Sequence, residues 1–302
     1  MKLGIIGLGK LGEYYLRDFK KFKIISLVLK NSSPNSSINK TKLINQKYNT
    51  KIKPAINYKS FFKINFDTTL ICSPSSFHLE HIKMALKKNK DIIIEKPIIS
   101  LKKEKSKKWA LKQLEQILSY NRKIYYNLIN EYYAKKYIQL FHNFKFKFKF
   151  KNFDFVFHTN GTHNYDEIID DLIPHFFSVF DKIYQYKKIT NIKKIIYKDK
   201  CFIKFYADKC FCNIEFLQKS KNKKLKFGFD GYLAERQTIE KKGKISVYLK
   251  SKKINKSIKV QNPLTENIKR IVRNHKSYNK SNEYQKIKNN LTKCCEIFYA
   301  KK

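Results

Sequence analysis

Ile92-Ile93-Ile94-Glu95-Lys96-Pro97-Ile98 decides how the rest of the chain is read. A run of isoleucine this dense predicts a strand buried on both faces, as in a parallel sheet. Pro97 has no N–H to give a sheet ladder, so the strand is expected to end at about Lys96. In parallel sheets the carboxyl ends of the strands face the crevice where ligands bind. Lys96 would therefore stand on the shoulder of a buried strand, beside such a crevice.

The N-terminus supplies the matching half. Lys2-Leu3-Gly4-Ile5-Ile6 reads as a short strand, and Gly7-Leu8-Gly9-Lys10-Leu11-Gly12 follows it directly. Helical spacing resumes in Glu13-Tyr14-Tyr15-Leu16-Arg17-Asp18-Phe19. This places G-x-G-x-x-G between a strand and a helix. Gly7 permits the tight turn, Gly9 lets a pyrophosphate approach the backbone, and Gly12 lets the helix pack on the strand. The N–H groups of Lys10 and Leu11 would join the positive end of the helix in holding the phosphates. The second strand is expected over residues 23–29, followed by Lys30-Asn31-Ser32-Ser33. A fold of this kind that prefers NAD places an acid here for the ribose 2′-hydroxyl. None is present, and Lys30, Asn31 and Ser32 could hold a 2′-phosphate, so the reading favours NADP(H), with NAD(H) as the alternative cofactor.

Composition narrows the class further. The chain has 302 residues with 24 Phe and 20 Tyr, enough for two domains with sizeable cores. Its formal charge of +42 raises a nucleic-acid hypothesis. Arginine, the residue of bidentate base and phosphate recognition, occurs only at 17, 122, 236, 270 and 273. The lysines are spread over the whole length, and Lys, Asn, Ile, Phe and Tyr are together the residues of AT-rich codons. Drift of a genome toward AT explains the charge without a specific nucleic-acid partner. The six cysteines show no C-x-x-C pair, and no ligand set at metal spacing is found, which predicts reduced structural thiols and no metal. Gly and Lys10 interrupt the apolar start, so no signal peptide is read there. No apolar segment approaches membrane-spanning length, and a soluble, cytoplasmic protein is expected.

Continuing along the chain, residues 31–40 are Ser/Asn-rich and read as a loop. A helix and a short strand near Ala55-Ile56 follow, and then a buried strand, Thr68-Thr69-Leu70-Ile71-Cys72. Ser73-Pro74-Ser75-Ser76 reads as a turn with an N-cap serine before a helix from Phe77 to about Lys88. His78, in its first turn, is either a cofactor neighbour or a capping or solvated histidine. Ser100 is a candidate cap for the helix that runs through Trp109, Leu114 and Ile117. Ile124-Tyr125-Tyr126-Asn127 reads as a further strand, and the domain boundary is placed just before it, near residue 122. Beyond it the period changes to two, in Phe144-Lys145-Phe146-Lys147-Phe148-Lys149-Phe150, in Asp154-Phe155-Val156-Phe157-His158, and near 195–198, 201–206, 210–217, 224–230 and 244–249. Such alternation predicts a largely antiparallel sheet with one packed face. Helices are expected over 264–273 and 281–299. The fold class is thus α/β: a Rossmann dinucleotide-binding domain over residues 1–122 and an α+β domain with a large sheet over residues 123–302.

One segment of the second half stands apart: Asp166-Glu167-Ile168-Ile169-Asp170-Asp171-Leu172-Ile173-Pro174-His175. A helix starting at Asp170 or Asp171 would keep Pro174 in its first turn, where proline is tolerated. Asp171 and His175, spaced i, i+4, would share a face. A histidine near a helix N-terminus is biased toward the neutral form that suits a general base, and a neighbouring carboxylate can orient it.

Gly7-Leu8-Gly9-Lys10-Leu11-Gly12, Ser73-Pro74 with His78 after it, Glu95-Lys96-Pro97, and Asp171-x-x-x-His175 together resemble the Gfo/Idh/MocA oxidoreductases. The resemblance covers nearly the whole chain. It implies catalytic Lys96, Asp171 and His175, with Lys96 polarising the reacting hydroxyl and His175 exchanging its proton with Asp171 in support. It also implies that Ser73, Pro74, His78, Glu95 and Lys96 join the cofactor site. Substrates of the family are mostly sugars, cyclitols and their derivatives, and many members form homo-oligomers through the open face of the second-domain sheet. The chain departs from the family in lacking a glycine-rich stretch just before the catalytic aspartate. A non-catalytic dinucleotide-binding sensor of the same fold is the alternative the sequence leaves open.

Overall fold

Short apolar strands that each feed a helix can bury both faces only by lining up in parallel. The computed structural model of the chain, which describes residues 1–20, 27–31, 33–101, 106–143, 149–241 and 244–301, has that arrangement in its first unit. This unit is formed by Met1–Asn127 with Asn267–Leu291. Its strands are β1 (Leu3–Ile6), β2 (Leu27–Lys30), β3 (Lys53–Ala55), β4 (Thr68–Ile71), β5 (Asp91–Glu95) and β6 (Ile124–Asn127). They form a parallel sheet in the order β3-β2-β1-β4-β5-β6. The order reverses between β1 and β4, which opens a crevice outside their carboxyl ends. Helices α1 (Lys10–Lys20), α2 (Pro34–Tyr48), α3 (Tyr58–Lys63), α4 (His78–Lys87) and α5 (Lys107–Ser119) connect the strands. Leu3, Ile5, Leu70, Ile92, Ile93 and Ile94 are completely buried.

The second unit comprises Leu128–Glu266 with Thr292–Lys302. Its strands are β7 (Asn152–His158), β8 (Ile189–Ile196), β9 (Lys200–Ala207), β10 (Cys210–Leu217), β11 (Lys224–Phe229), β12 (Tyr232–Lys241), β13 (Lys244–Ser251) and β14 (Lys256–Val260). Among the described residues they form one sheet, β14-β13-β12-β11-β7-β10-β9-β8, antiparallel except for the β7–β10 pair. Helices α6 (Glu131–Leu140) and α7 (Asp166–Ile183) cover one face. The alternating residues seal that face: Phe153, Phe155, Phe205, Phe216, Phe227 and Phe229 are buried, and Phe176 and Phe180 of α7 stack among them. The chain ends in α8 (Pro263–Arg273) and α9 (Lys280–Tyr299). The predicted two-part α/β class and both terminal helices are thus present. All six cysteines are free thiols, and five are buried. Among the described residues no helix is long and apolar enough to cross a membrane.

Several expectations are corrected, each for a local reason. The polar stretch 31–40 is not a loop but the start of α2. Ser33 accepts the N–H of Ser36 as its N-cap and Pro34 occupies the first turn, so the serines and asparagines mark a capped helix start. The turn at residues 73–76 does not supply an N-cap serine. A single 3-10 turn, Ser75–Phe77, leads into α4, which has no side-chain cap. Ser106, not Ser100, caps α5, accepting the N–H of Trp109. Strand β6 pairs in register with β5, so the first unit runs through Asn127 and recruits residues 267–291, whereas the sequence boundary lay near 122. Residues 144–148 of the Phe-Lys repeat lie outside the described residues.

The largest correction concerns α7. It starts at Asp166, so Pro174 lies well inside it and His175 is mid-helix. An interior proline costs about 3 kcal/mol. Ile168, Ile169, Leu172, Ile173, Phe176, Phe177 and Phe180 are all buried, and full burial of one such side chain stabilises by about 1.5–3 kcal/mol. The apolar face therefore outweighs the proline. His175 therefore lies well beyond the first turn, where a helix terminus acts, contrary to the expectation from the sequence.

Candidate functional site

The crevice end of the first unit is shaped by three glycines with different surroundings. Gly7 has φ +87, and a Cβ there would lie 2.6 Å from the Ser73 nitrogen, so only glycine lets the exits of β1 and β4 run this close. A Cβ on Gly12 would lie 2.6 Å from the Gly7 carbonyl oxygen, which is how closely α1 packs on the turn. A Cβ on Gly9 would meet nothing within 4 Å. The first turn of α1 is closed by Glu13 N–H donating to Gly9 O at 3.1 Å. The N–H groups of Lys10, Leu11 and Gly12 consequently have no acceptor inside the helix and carry its positive end. Open space over Gly9 in front of those N–H groups is a cradle for an anion that approaches the backbone closely, and a dinucleotide pyrophosphate fits it.

At the exit of β2, Lys30 pairs in register with Ile6 and Ala55. Its side chain, and all of Ser32, lie outside the described residues. Asn31 is committed to the start of α2: its N–H donates to Ser37 Oγ and its amide to Ser36 Oγ, both at 2.9 Å. No acid stands between Lys30 and Ser33.

His78 is neither a helix cap nor a solvated side chain. Its ring is buried, with Nδ1 2.6 Å from Pro97 O and Nε2 2.9 Å from Ser73 O, and burial lowers its pKa. It ties the loop after β4 to the loop after β5, on the residue following Lys96. His81, one turn further along α4, continues the bracing: Nδ1 lies 2.8 Å from Ser73 Oγ and Nε2 2.5 Å from Tyr58 OH. The sequence reading missed His81 and Tyr58, although His78 and His81 at i, i+3 were a visible signal. Pro74 begins the turn between these elements.

Strand β5 ends at Glu95, one residue before the expected stop, so Lys96 is the first residue beyond it. The Glu95 carboxylate points into the unit, accepting Tyr15 OH and the Asn127 amide, and Asn267 in turn donates to Asn127. Lys96 is half-buried. Burial pushes the Glu95 carboxyl up to about 7, against the lowering effects of Tyr15 and Lys96. An acid raised in the folded state holds its proton there more tightly than in the unfolded chain. Its stabilising contribution is present below the unfolded value of 4.5 and is lost as pH rises through about 7. Glu95→Gln, which keeps an acceptor for Tyr15 without the titration, should therefore gain on the wild type by several degrees of Tm between pH 5 and pH 8. Thermal denaturation of both proteins across that range checks this; a constant difference contradicts it.

In the second unit, α7 places Asp171 and His175 four residues apart on one face, as predicted. Asp171 is half-buried and accepts the Gln218 amide at 3.1 Å, while the neighbouring Asp170 is buried. His175 is buried, with its ring edge-on to Phe157 at 5.1 Å. Gln218 was missed by the sequence reading, since a glutamine just after a strand carries no pattern. The residue before α7, Tyr165, has φ +50 and ψ −130, a conformation glycine adopts freely, and its side chain is 58% exposed. Strain of about 1–3 kcal/mol is expected there, against less than about 1 kcal/mol for the extra unfolded-state freedom of glycine. Tyr165→Gly should thus stabilise the protein by about 1 kcal/mol in denaturant unfolding; destabilisation would contradict the strain. Among the described residues no cluster of His, Cys, Asp or Glu could hold a metal ion.

Comparison with known proteins bears on this geometry. Residues 1–122 match the family model described as oxidoreductase family, NAD-binding Rossmann fold (GFO_IDH_MocA). No curated protein matched the sequence. Among solved structures, the UDP-N-acetylglucosamine 3-dehydrogenase from Acidithiobacillus ferrooxidans is similar at TM-score 0.65 and 10% identity, covering 98% of this chain and 97% of its own. A variant of a 3-ketoreductase from Actinomadura kijaniata, in complex with TDP-benzene and NADP, gives 0.70 and 9%, covering 98% and 96%. A Gfo/Idh/MocA family oxidoreductase from Vibrio cholerae gives 0.63 and 11%, covering 98% and 96%. With the glycine turn, the 3-2-1-4-5-6 strand order and the large second sheet, these comparisons show that residues 1–122 match the NAD-binding Rossmann model of the Gfo/Idh/MocA oxidoreductases and that the chain shares the fold of these solved structures over nearly its whole length.

Proposed function

We propose that the chain is an NADP(H)-preferring oxidoreductase that moves a hydride between nicotinamide and a hydroxyl-bearing carbon of a sugar, cyclitol or sugar derivative. The observation that carries the proposal is the open space over Gly9 at the N-terminus of α1, beside the strand end that delivers Lys96. Gly7, Gly9, Gly12 and the N–H groups of Lys10 and Leu11 would hold the pyrophosphate. Lys30 and Ser32 would take the 2′-phosphate, with Asn31 fixing the turn into α2 behind them through Ser36 and Ser37, in keeping with the absence of an acid after β2. Ser73, Pro74 and His78 would shape the floor beside the nicotinamide, with Glu95 anchoring the strand end beneath it. The bound nicotinamide supplies the hydride acceptor or donor.

The chain's own residues handle the proton. Lys96 hydrogen-bonds the reacting hydroxyl and stabilises negative charge that develops on its oxygen. His175 takes the hydroxyl proton in oxidation and returns it in reduction, and Asp171 supports the imidazolium. The substrate class rests on neighbours whose names specify a nucleotide sugar or carry a nucleoside-diphosphate ligand together with NADP. A second copy of the chain is the proposed partner, across the sheet face left uncovered by α6 and α7, where Tyr206 is 40% exposed. The test is a survey of free and nucleotide-linked sugars, reading nicotinamide absorbance with NADP and NAD in both directions. Turnover of one class supports the proposal; cofactor binding without turnover of any favours the sensor reading.

A further inference from the structure

We propose that Gln218 is a positioning residue of this site, fixing the Asp171 carboxylate from a buried amide clamp between two loops. The inference rests on the catalytic reading of Asp171 given above. Gln218 follows β10 and is 1% exposed. Both ends of its amide are used: Nε2 donates to Asp171 Oδ2 at 3.1 Å, and Oε1 accepts Thr159 Oγ1 at 2.9 Å. A carboxylate only accepts, so the amide can face it only with its nitrogen, and the hydroxyl on the other side locks that orientation.

The clamp is itself held. Thr159 Oγ1 also accepts the N–H of Gly161 at 3.2 Å, so its own hydrogen is directed to Gln218. The Gln218 N–H donates to Asp199 O at 2.8 Å. The next two residues zip the loop after β10 to the loop after β7: Lys219 N–H donates to Gly161 O at 2.9 Å and Ser220 N–H to Thr159 O at 2.8 Å. Space is equally specific. A Cβ on Gly161 would lie 1.9 Å from Gln218 Oε1, so position 161 must stay bare for the amide to reach Asp171. A hydrogen-bond donor that meets the charged form of an acid favours that form. Gln218 thereby favours the carboxylate of Asp171 over its neutral form and holds it in one orientation on the face of α7 that also carries His175.

The experiment is carbon-13 NMR of the aspartate carboxyls in the full-length chain, with Asp171→Asn identifying the resonance. Gln218→Met preserves the volume and removes both hydrogen bonds. It should raise the Asp171 carboxyl pKa by about 1 unit, and an unmoved titration overturns the proposal. A merely structural role would lower Tm and leave that titration in place. Should Gln218→Met fail to fold, Thr159→Val frees the amide without touching Asp171. A smaller shift in the same direction supports the clamp, and no shift overturns it. Turnover of Asp171→Asn separates the two levels: full activity there, with the Gln218→Met shift intact, counts against the catalytic reading and not against the clamp.

Discussion

His175→Asn and Lys96→Ala should each lower turnover about a thousandfold, within the range that a positioned acid–base group contributes. The two losses have different physical origins. His175 is buried against Phe157, and asparagine keeps a polar side chain there while removing the group that changes charge near neutral pH. Cofactor affinity should be unchanged, because none of the groups proposed to hold the cofactor's phosphates is His175. Lys96→Ala removes a cation at the end of β5, and a modest loss of cofactor affinity should accompany its loss of turnover. Steady-state kinetics with a substrate from the sugar survey, beside cofactor titration of each variant, checks both. Undiminished turnover in His175→Asn would sink the acid–base assignment.

Gly9→Ala and Gly12→Ala differ by the same methyl group and should fail in different ways. The new methyl on Gly9 points into open space, so the folded protein should tolerate it with no loss of Tm. That same space is where the pyrophosphate must approach the backbone, and cofactor affinity should fall about tenfold to a hundredfold, the cost of a weakened hydrogen bond to a charged group. The methyl on Gly12 would sit 2.6 Å from a backbone oxygen that cannot swing away. Gly12→Ala should therefore destabilise the fold by about 1–3 kcal/mol, as overpacking does, and weaken cofactor binding as a consequence. Paired measurements of Tm and cofactor affinity separate the cases. Gly9→Ala with full affinity would place the phosphates elsewhere.

The parts of the fold that could be read from sequence were those with strong periodicity. The isoleucines of β5 and the phenylalanines of β7 report burial directly, because strand side chains alternate or are enclosed on both sides. What was misread is equally physical. Ser33 and Pro34 read as loop residues in the sequence because caps and turns draw on the same small polar side chains. Pro174 points to a first turn in the sequence because the local cost of proline is legible, whereas the buried face that overrides it emerges only when α7 meets the sheet. β12 and β14 carry no readable period; the half-exposed Arg236 and Gln237 and the exposed Thr238 of β12 give no clean alternation. In the site, motif residues could be named singly. The braces around them (Tyr58, Tyr15, Asn127 and Gln218) come from distant segments and have no sequence pattern to betray them, whereas His81 stands i, i+3 from His78.

Fluorescence titration of the purified wild type with NADPH and NADH tests the central claim most directly. The chain carries a formal charge of +42, so the titration belongs at about 0.15 M salt or above, where nonspecific attraction between exposed charges is screened within about 8 Å. The account predicts saturable binding of one reduced nicotinamide per chain that survives added salt and is tighter for NADPH. Failure of both cofactors to bind under those conditions would contradict it, and the positive charge would then have to be explained by a polyanionic partner.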